Sequence, residues 1–118
     1  MIAVIFEVLP HSSAKHTYLS IAADLYDHLS QMDGFISIER FQSLSDPDKF
    51  LSLSFWRDEQ AVLAWRNLSQ HREAQALGRS SIFAHYRLRV AQVLRDYGLH
   101  ERDQCPIDSL SHHPRFLS

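Results

Sequence analysis

The first nine residues constrain the fold of this chain more than any other segment. From Ile2 to Leu9 both alternating sets of side chains are apolar, and Glu7 is the exception. Successive side chains of a β-strand point to opposite faces of the sheet, so a strand with this pattern has to be covered on both faces. A single layer of helices supplies one cover, and the other has to come from elsewhere.

The remaining segments predict the order strand, helix, strand, strand, helix pair, strand. Apolar residues at helical spacing run from Tyr18 to Met32, and Gly34 follows where a helix commonly stops. Alternating patterns and turn residues place the other elements. We expect an N-cap within Pro10–Ser13, a hairpin of 35–43 and 50–56 joined by Ser45–Asp48, helices capped by Asp58 and Ser69, and a last strand over 83–97.

This order is the split βαβ arrangement of an α+β, ferredoxin-like fold. Its sheet carries helices on one face only, so the doubly apolar first strand predicts a second copy of the chain as the other cover. We therefore expect a homodimer built from a domain of residues 1–97. Residues 98–118 form a polar tail, which is either loosely ordered or laid over a partner.

Composition narrows the class of protein. The 118 residues are 45% hydrophobic and 22% charged, which suits one globular domain. A net charge of -2 without a basic cluster argues against binding nucleic acid. Cys105 is the single cysteine, no stretch approaches the ~18 apolar residues of a membrane span, and the eight histidines show no metal-ligand spacing. We expect a soluble, cytoplasmic protein without a metal or a membrane partner.

One predicted helix face has the composition of a pocket wall. At ~100° per residue, His71, Ala74, Gln75 and Gly78 share a face that combines two polar side chains with two small ones. Small residues leave space, and polar residues orient what fills it. The alternative is that Ala74 and Gly78 allow close packing on the sheet and that His71 is a hydrogen-bonded helix residue.

The tryptophans and this helix together resemble a known family. Trp56 after the third strand, Trp65-Arg66 in the next helix, the run 71–79, and Tyr86 with Arg95 and Tyr97 are similar to the antibiotic-biosynthesis-monooxygenase family, most of all to its small stand-alone bacterial branch. The resemblance covers residues 1–97. It implies a ferredoxin-like protomer, a dimeric α+β barrel, and a cavity between sheet and helices in each protomer.

The resemblance also implies a function. The family includes cofactor-free oxygenases of aromatic polyketides, quinol-directed oxygenases and haem-degrading enzymes. The leading expectation is a cofactor-independent monooxygenase of a small aromatic or quinol-type metabolite, which must deprotonate its substrate and stabilise the anion. His71 is the candidate base, with an ordinary pKa of ~6.5. Trp65 would donate an N–H or stack, and Arg40 or Arg66 would hold the negative charge.

Two other functions remain open. The chain could be a non-enzymatic small-molecule binding or sensing protein on the same scaffold, with Trp56 and Trp65 as core residues. It could also bind or degrade haem. In the haem-degrading branch the positions of Trp65, Glu7 and Gln75 hold Trp, Asn and the haem-ligating His. Glutamine does not replace imidazole as an iron ligand, so His71 would have to bind from a different place.

Glu7 has two possible environments. If it points into the cavity, burial would raise its pKa and make it a base or a substrate contact. If it points to the dimer seam, it should pair with an arginine such as Arg87 or Arg89.

Overall fold

The chain folds as a four-stranded antiparallel sheet with helices on one face. This computed structural model describes residues 1–68, 72–73, 75–76 and 82–112. The strands are β1 (Ile2–Pro10), β2 (Phe35–Gln42), β3 (Phe50–Trp56) and β4 (Phe83–Gln92), and the helices are α1 (Lys15–Leu29), α2 (Glu59–Arg66) and α3 (Ile107–His112).

The sheet has the strand order β2-β3-β1-β4, with β1 paired to both β3 and β4. β2 and β3 form the predicted hairpin. This topology confirms the α+β, ferredoxin-like fold, because two split βαβ units place the first and third strands in the middle of the sheet. β1 and β3 are therefore the two central strands of the sheet.

The two faces of the sheet carry different side chains. In register across the sheet, Val4 lies between Ser54 and Val90, and Phe6 lies between Ser52 and Leu88, all on the helix side. The intervening residues point to the opposite face, which no helix covers in the described part of the chain. That open face carries Ala3, Ile5, Leu51, Leu53 and Phe55.

On the helix side the core divides into two clusters of buried residues, one at each end of the sheet. The first cluster contains Ile2, Leu29, Trp56, Ala61 and Trp65. The second contains Val8, Ala14, Tyr18, Phe50 and Ile82.

The start of α1 differs from the sequence prediction. Its N-cap is Ala14, which makes no side-chain capping bond, and not a residue of Pro10–Ser13. The N–H of Ala14 donates to the carbonyl of His11 at 2.8 Å, and this turn leaves Ser12 and Ser13 outside the helix. Ala14 is instead a buried core residue, so packing rather than capping sets the helix start.

The last strand is shorter than predicted. We expected it to reach Tyr97, and it ends at Gln92. Ile2 pairs with Gln92, and the N–H of Val93 donates to the carbonyl of Met1 at 2.9 Å. The pairing of β4 with β1 therefore ends where β1 begins.

The segment that follows β4 is polar but contains buried contacts. Cys105 is a free thiol only 7% exposed, and α3 begins two residues later. None of the helices in the described residues is long and apolar enough to cross a membrane.

A charged cluster fixes the start of α2. Asp58 caps the helix as predicted, since its carboxylate accepts from the N–H of Ala61 at 3.0 Å. Arg57 donates to Asp33 at 3.0 Å and to Asp58 at 3.2 Å. These bonds lower the pKa of both carboxyls below the ordinary range and raise that of the guanidinium. The predicted cap Ser69 lies outside the described residues.

Replacing Gly34 with alanine should destabilise the protein by at least about 2 kcal/mol. Gly34 has φ +86°, and an added Cβ would meet the Cβ of Ala61 at 2.6 Å. The left-handed conformation alone costs an L-residue ~1 to 2 kcal/mol, and overpacking adds to it. Urea unfolding measures the loss. Gly98→Ala is the matched control, because its new Cβ meets only the flexible end of Glu101. Equal stabilities for the two variants would contradict this account.

Asp58 variants should separate the helix cap from the ion pair. Asparagine keeps a capping oxygen and alanine does not, so at neutral pH Asp58→Ala should melt lower than Asp58→Asn. Because the pKa of the Asp58 carboxyl is lowered in the folded protein, the ionised carboxylate stabilises the fold at pH values above its ordinary pKa of 3.8. This stabilisation is lost as the pH falls through the lowered pKa. The gap in melting temperature between wild type and Asp58→Asn should therefore shrink in acid. A gap that stays constant down to about pH 2 would rule out the ionic contribution.

Candidate functional site

A cavity of about 390 Å³ lies between the sheet and the helices. This volume falls within the range of small-molecule sites in proteins. All four strands contribute to its floor, including Phe6, Ile38, Ser52, Ser54, Leu88 and Val90. The helices contribute Tyr18, Ile21, Leu25, Val62 and Trp65. Since its lining includes members of both core clusters, the cavity separates them.

Two serines on β3 create the space in the floor. Ser52 and Ser54 are buried and lie between Phe50 and Trp56 on the helix side of the strand. Aliphatic side chains at these positions would fill the gap between the two clusters. Neither serine was among the site residues predicted from the sequence. The alternation along β3 could have indicated them, because Ser52 and Ser54 share a strand face with Trp56 while the leucines lie on the opposite face.

The two tryptophans form one end of the cavity. Their rings are nearly parallel, with an interplanar angle of 30° and centroids 6.5 Å apart. Trp56 is 1% exposed, and its indole N–H donates to the hydroxyl of Ser54 at 3.0 Å. That donor is therefore already engaged, and Trp56 contributes a ring surface. Trp65 reaches the same end from α2 and is also buried.

Arg40 and Tyr18 meet at a different part of the cavity. Burial raises the pKa of the Tyr18 phenol, while the nearby positive charge of the Arg40 guanidinium acts in the opposite direction. The phenol is therefore protonated at neutral pH. Among the described residues the Nε of Arg40 is buried and has no hydrogen-bond partner. A cationic group with a spare donor thus faces a largely apolar space.

Arg66, Arg72 and Gln75 also line the cavity, on the helix side. Arg72 donates to the amide oxygen of Asn67 at 2.6 Å and to that of Gln75 at 3.3 Å, which fixes the side chain of Gln75. Arg66 and Arg72 are exposed, so they lie where the cavity meets solvent. No Asp or Glu belongs to the lining formed by the described residues. The site is therefore apolar in its walls and positive in charge.

Five of the predicted site residues line this cavity, namely Trp56, Trp65, Arg40, Arg66 and Gln75. Three others, His71, Ala74 and Gly78, lie outside the described residues. Sequence reasoning missed Tyr18, Tyr86 and Arg72, which also line it.

Glu7 lies on the open face of the sheet, away from the cavity. Its carboxylate accepts from Arg89 at 3.2 Å, and this bond, together with the charge of Lys49, lowers the pKa of Glu7. The pairing of Glu7 with Arg89 agrees with the arginine partner that the sequence predicted for a Glu7 outside the cavity. A substrate contact from Glu7 within this cavity would require the side chain to cross the sheet.

The described residues do not form a cluster of metal ligands. They contain no group of three His, Cys, Asp or Glu side chains that could hold a metal ion. Gln75 stands at the haem-ligand position of the haem-degrading branch, and its amide is not an iron ligand of the imidazole kind. That position does not fit haem.

Solved structures share this fold at low sequence identity. A protein from Mycobacterium tuberculosis is 15% identical, with a TM-score of 0.74, and the match covers 82% of this chain and 98% of that one. A candidate antibiotic biosynthesis monooxygenase from Deinococcus radiodurans is also 15% identical, with a TM-score of 0.73 and coverage of 83% and 97%. At this identity the likeness shows the fold alone.

A sequence relative is much more similar. The protein named jasmonate monooxygenase ABM from Pyricularia oryzae is 50% identical over 93 residues, which are 79% of this chain and 43% of the relative. The chain thus spans less than half the length of this curated relative. Because that organism is a fungus, the comparison does not confirm the bacterial branch expected from the sequence.

The family model for antibiotic biosynthesis monooxygenases matches residues 1–77, which include β1 to α2 and most of the cavity floor. Together with the 50% identical relative, this match shows that the chain belongs to the antibiotic biosynthesis monooxygenase family.

Proposed function

We propose that the chain is a monooxygenase that binds a small, largely apolar organic molecule in the cavity between sheet and helices. The observation that carries the proposal is the cavity itself, about 390 Å³ with aromatic walls, in a chain of this family. A monooxygenase transfers one oxygen atom to its substrate, and the cavity would hold that substrate away from bulk water.

The lining favours a substrate with a flat or cyclic body. Trp56 and Trp65 offer stacked rings at one end, and Phe6, Phe83 and Tyr86 form a second aromatic group with centroids 5.6 to 5.7 Å apart. Such walls suit the aromatic or quinol-type metabolite expected from the sequence. They also suit jasmonate, the alicyclic acid in the name of the fungal relative.

The proposed chemistry is independent of a cofactor. An electron-rich substrate anion reacts with O₂ directly, and oxidation of a ring methylene by one O₂ gives a carbonyl and one water, so atoms and electrons balance. The protein has to stabilise the anion, which Arg40 and the protonated Tyr18 are placed to do. His71 stays the predicted base, and it lies outside the described residues.

The rival function uses the same cavity without a reaction. A binding or sensing protein would need the apolar walls and the arginines but no group that removes a proton. Oxygen-dependent product formation separates the two functions, since both predict binding. The cytoplasmic location expected from the sequence stays a prediction.

We also propose that the open face of the sheet is covered by a second copy of the chain. Ile5, Leu51, Leu53 and Phe55 are half-buried, and Phe41 is 42% exposed. The same face carries Glu7 and Glu39 as well as Arg87 and Arg89, and Glu7 pairs with Arg89. An apolar sheet face whose positive and negative charges balance suits an isologous contact, in which each protomer presents the same surface.

Filling the cavity should abolish turnover without unfolding the protein. Ser52→Leu places an aliphatic side chain on the cavity floor, so we expect at least a ~10-fold loss of oxygen-dependent product with little change in melting temperature. The assay follows ¹⁸O incorporation by mass spectrometry, with jasmonate, anthrone and hydroquinone as substrates.

Ser20→Leu is the control, because Ser20 is exposed on α1 and lies outside the cavity. Full turnover in folded Ser52→Leu would show that the cavity is not the site. Binding by wild type without any ¹⁸O-labelled product would favour the binding or sensing function.

A charge on the open face should produce monomers. Leu53 lies in the centre of the sheet, paired with Ile5 and Glu39, so Leu53→Glu would bury a carboxylate in the proposed interface. We expect sedimentation equilibrium at micromolar concentration to give a dimer for wild type and a folded monomer for Leu53→Glu. Leu63→Glu, on an exposed position of α2, should remain dimeric. A monomeric wild type would overturn the proposal.

A further inference from the structure

Arg40 lies in surroundings that are unusual for an arginine. Its side chain points from β2 into the cavity, where the adjacent floor residue in register is Ser52. The cavity lining formed by the described residues includes no carboxylate that could balance its charge. Glu39, its acidic neighbour in the chain, belongs to the alternate set of side chains, which points to the open face.

The hydrogen bonding of Arg40 is incomplete. Its guanidinium lies near the hydroxyl of Tyr18, and its buried Nε has no partner among the described residues. A buried donor without a partner is unfavourable, and native proteins rarely keep one unless a bound group satisfies it. Guanidinium groups match planar carboxylates, to which they donate two parallel hydrogen bonds.

Tyr18 adds a second donor at the same place. Burial keeps the hydroxyl protonated, so it has a hydrogen to donate to a group beside Arg40. An anion beside Arg40 can accept from both groups. The buried hydroxyl of Ser52, in register with Arg40, is a further polar group near this point.

The arginine and the tryptophans lie at separate ends of the cavity. Ser52 and Trp56 are four residues apart on β3, which corresponds to about 13 Å at ~3.3 Å per residue. Between them the floor is formed by Ser54 and Val4, and the roof by the apolar side chains of α1. A molecule that reaches from one end to the other therefore has a polar head and an apolar body.

We infer that this cavity binds an amphipathic monocarboxylate, with its carboxylate held by Arg40 and Tyr18 and its apolar body directed toward Trp56 and Trp65. The inference rests on the proposed function only in taking the cavity as the substrate site. It adds the chemical class of the substrate and the direction in which it lies.

Arg66 and Arg72 are weaker candidates for the same role. Both are exposed, so solvent screens their charges, and Arg72 already donates to Asn67 and Gln75. These residues place positive charge where the cavity meets solvent and favour the approach of an anion. The guanidinium of Arg40, whose Nε is buried, then holds it.

Matched acids and esters test the inference by binding alone. Decanoate and naphthalene-2-carboxylate are compared with their methyl esters, which keep the apolar body and lose the charge. Calorimetry gives the affinities, and tryptophan emission reports the location, since both tryptophans of the chain line the cavity. We expect each acid that binds to do so at least ~10-fold more tightly than its ester.

Arg40→Met should weaken binding of the acid by about 10- to 100-fold and leave the ester unchanged, while Arg40→Lys restores part of the loss. Arg95→Met, an exposed arginine outside the cavity, is the matched control and should bind both ligands like wild type. Because Arg40→Met also removes an unsatisfied donor, its melting temperature should equal or exceed that of wild type.

Equal affinity for acid and ester, no binding of either acid, or equal weakening of both ligands in Arg40→Met would each overturn the inference. These binding measurements do not require the protein to turn over a substrate. Selective binding of acids without ¹⁸O-labelled product would contradict the proposed monooxygenase function but support the carboxylate inference. Labelled product from neutral substrates only would support the monooxygenase function and contradict the carboxylate inference.

Discussion

The antiparallel pairing of β1 with both β3 and β4 is the constraint from which the other features follow. It fixes which residues face the helices and which face away, because a shift by one residue would exchange the two sets. With the observed register, the serines of β3 and the arginine of β2 face inward, and the leucines of β3 face outward. The cavity and the uncovered apolar surface are thus two results of a single register.

The elements of this fold could be predicted from periodicity, while their ends could not. Apolar spacing is a property of each segment alone, so the sequence predicted α1 and the hairpin. The end of β4 depends on the length of β1, and the start of α1 depends on packing of Ala14 against the second core cluster. Neither constraint is visible in a local window of sequence.

The candidate site was predicted in part, and the reason for the misses is physical. Tryptophan and arginine side chains can stack on a ring or bind an anion, so the sequence alone indicates Trp65 and Arg40 as site residues. Small polar residues in a strand ordinarily indicate a solvent-facing side, whereas Ser52 and Ser54 are buried and form part of the cavity floor. Tyr18 was counted only as a core residue of α1, because its approach to Arg40 depends on how that helix crosses β2.

The cavity has one more consequence, for the lifetime of the protein. It separates two clusters that each contain only a few buried side chains, so a bound molecule would act as part of the hydrophobic core. A ligand at a hundred times its dissociation constant stabilises the folded state by about 2.7 kcal/mol, a large share of the ~5 to 15 kcal/mol that holds a domain together. Proteolysis in cells acts mainly on unfolded molecules. The amount of this protein would then follow the supply of the compound that it binds.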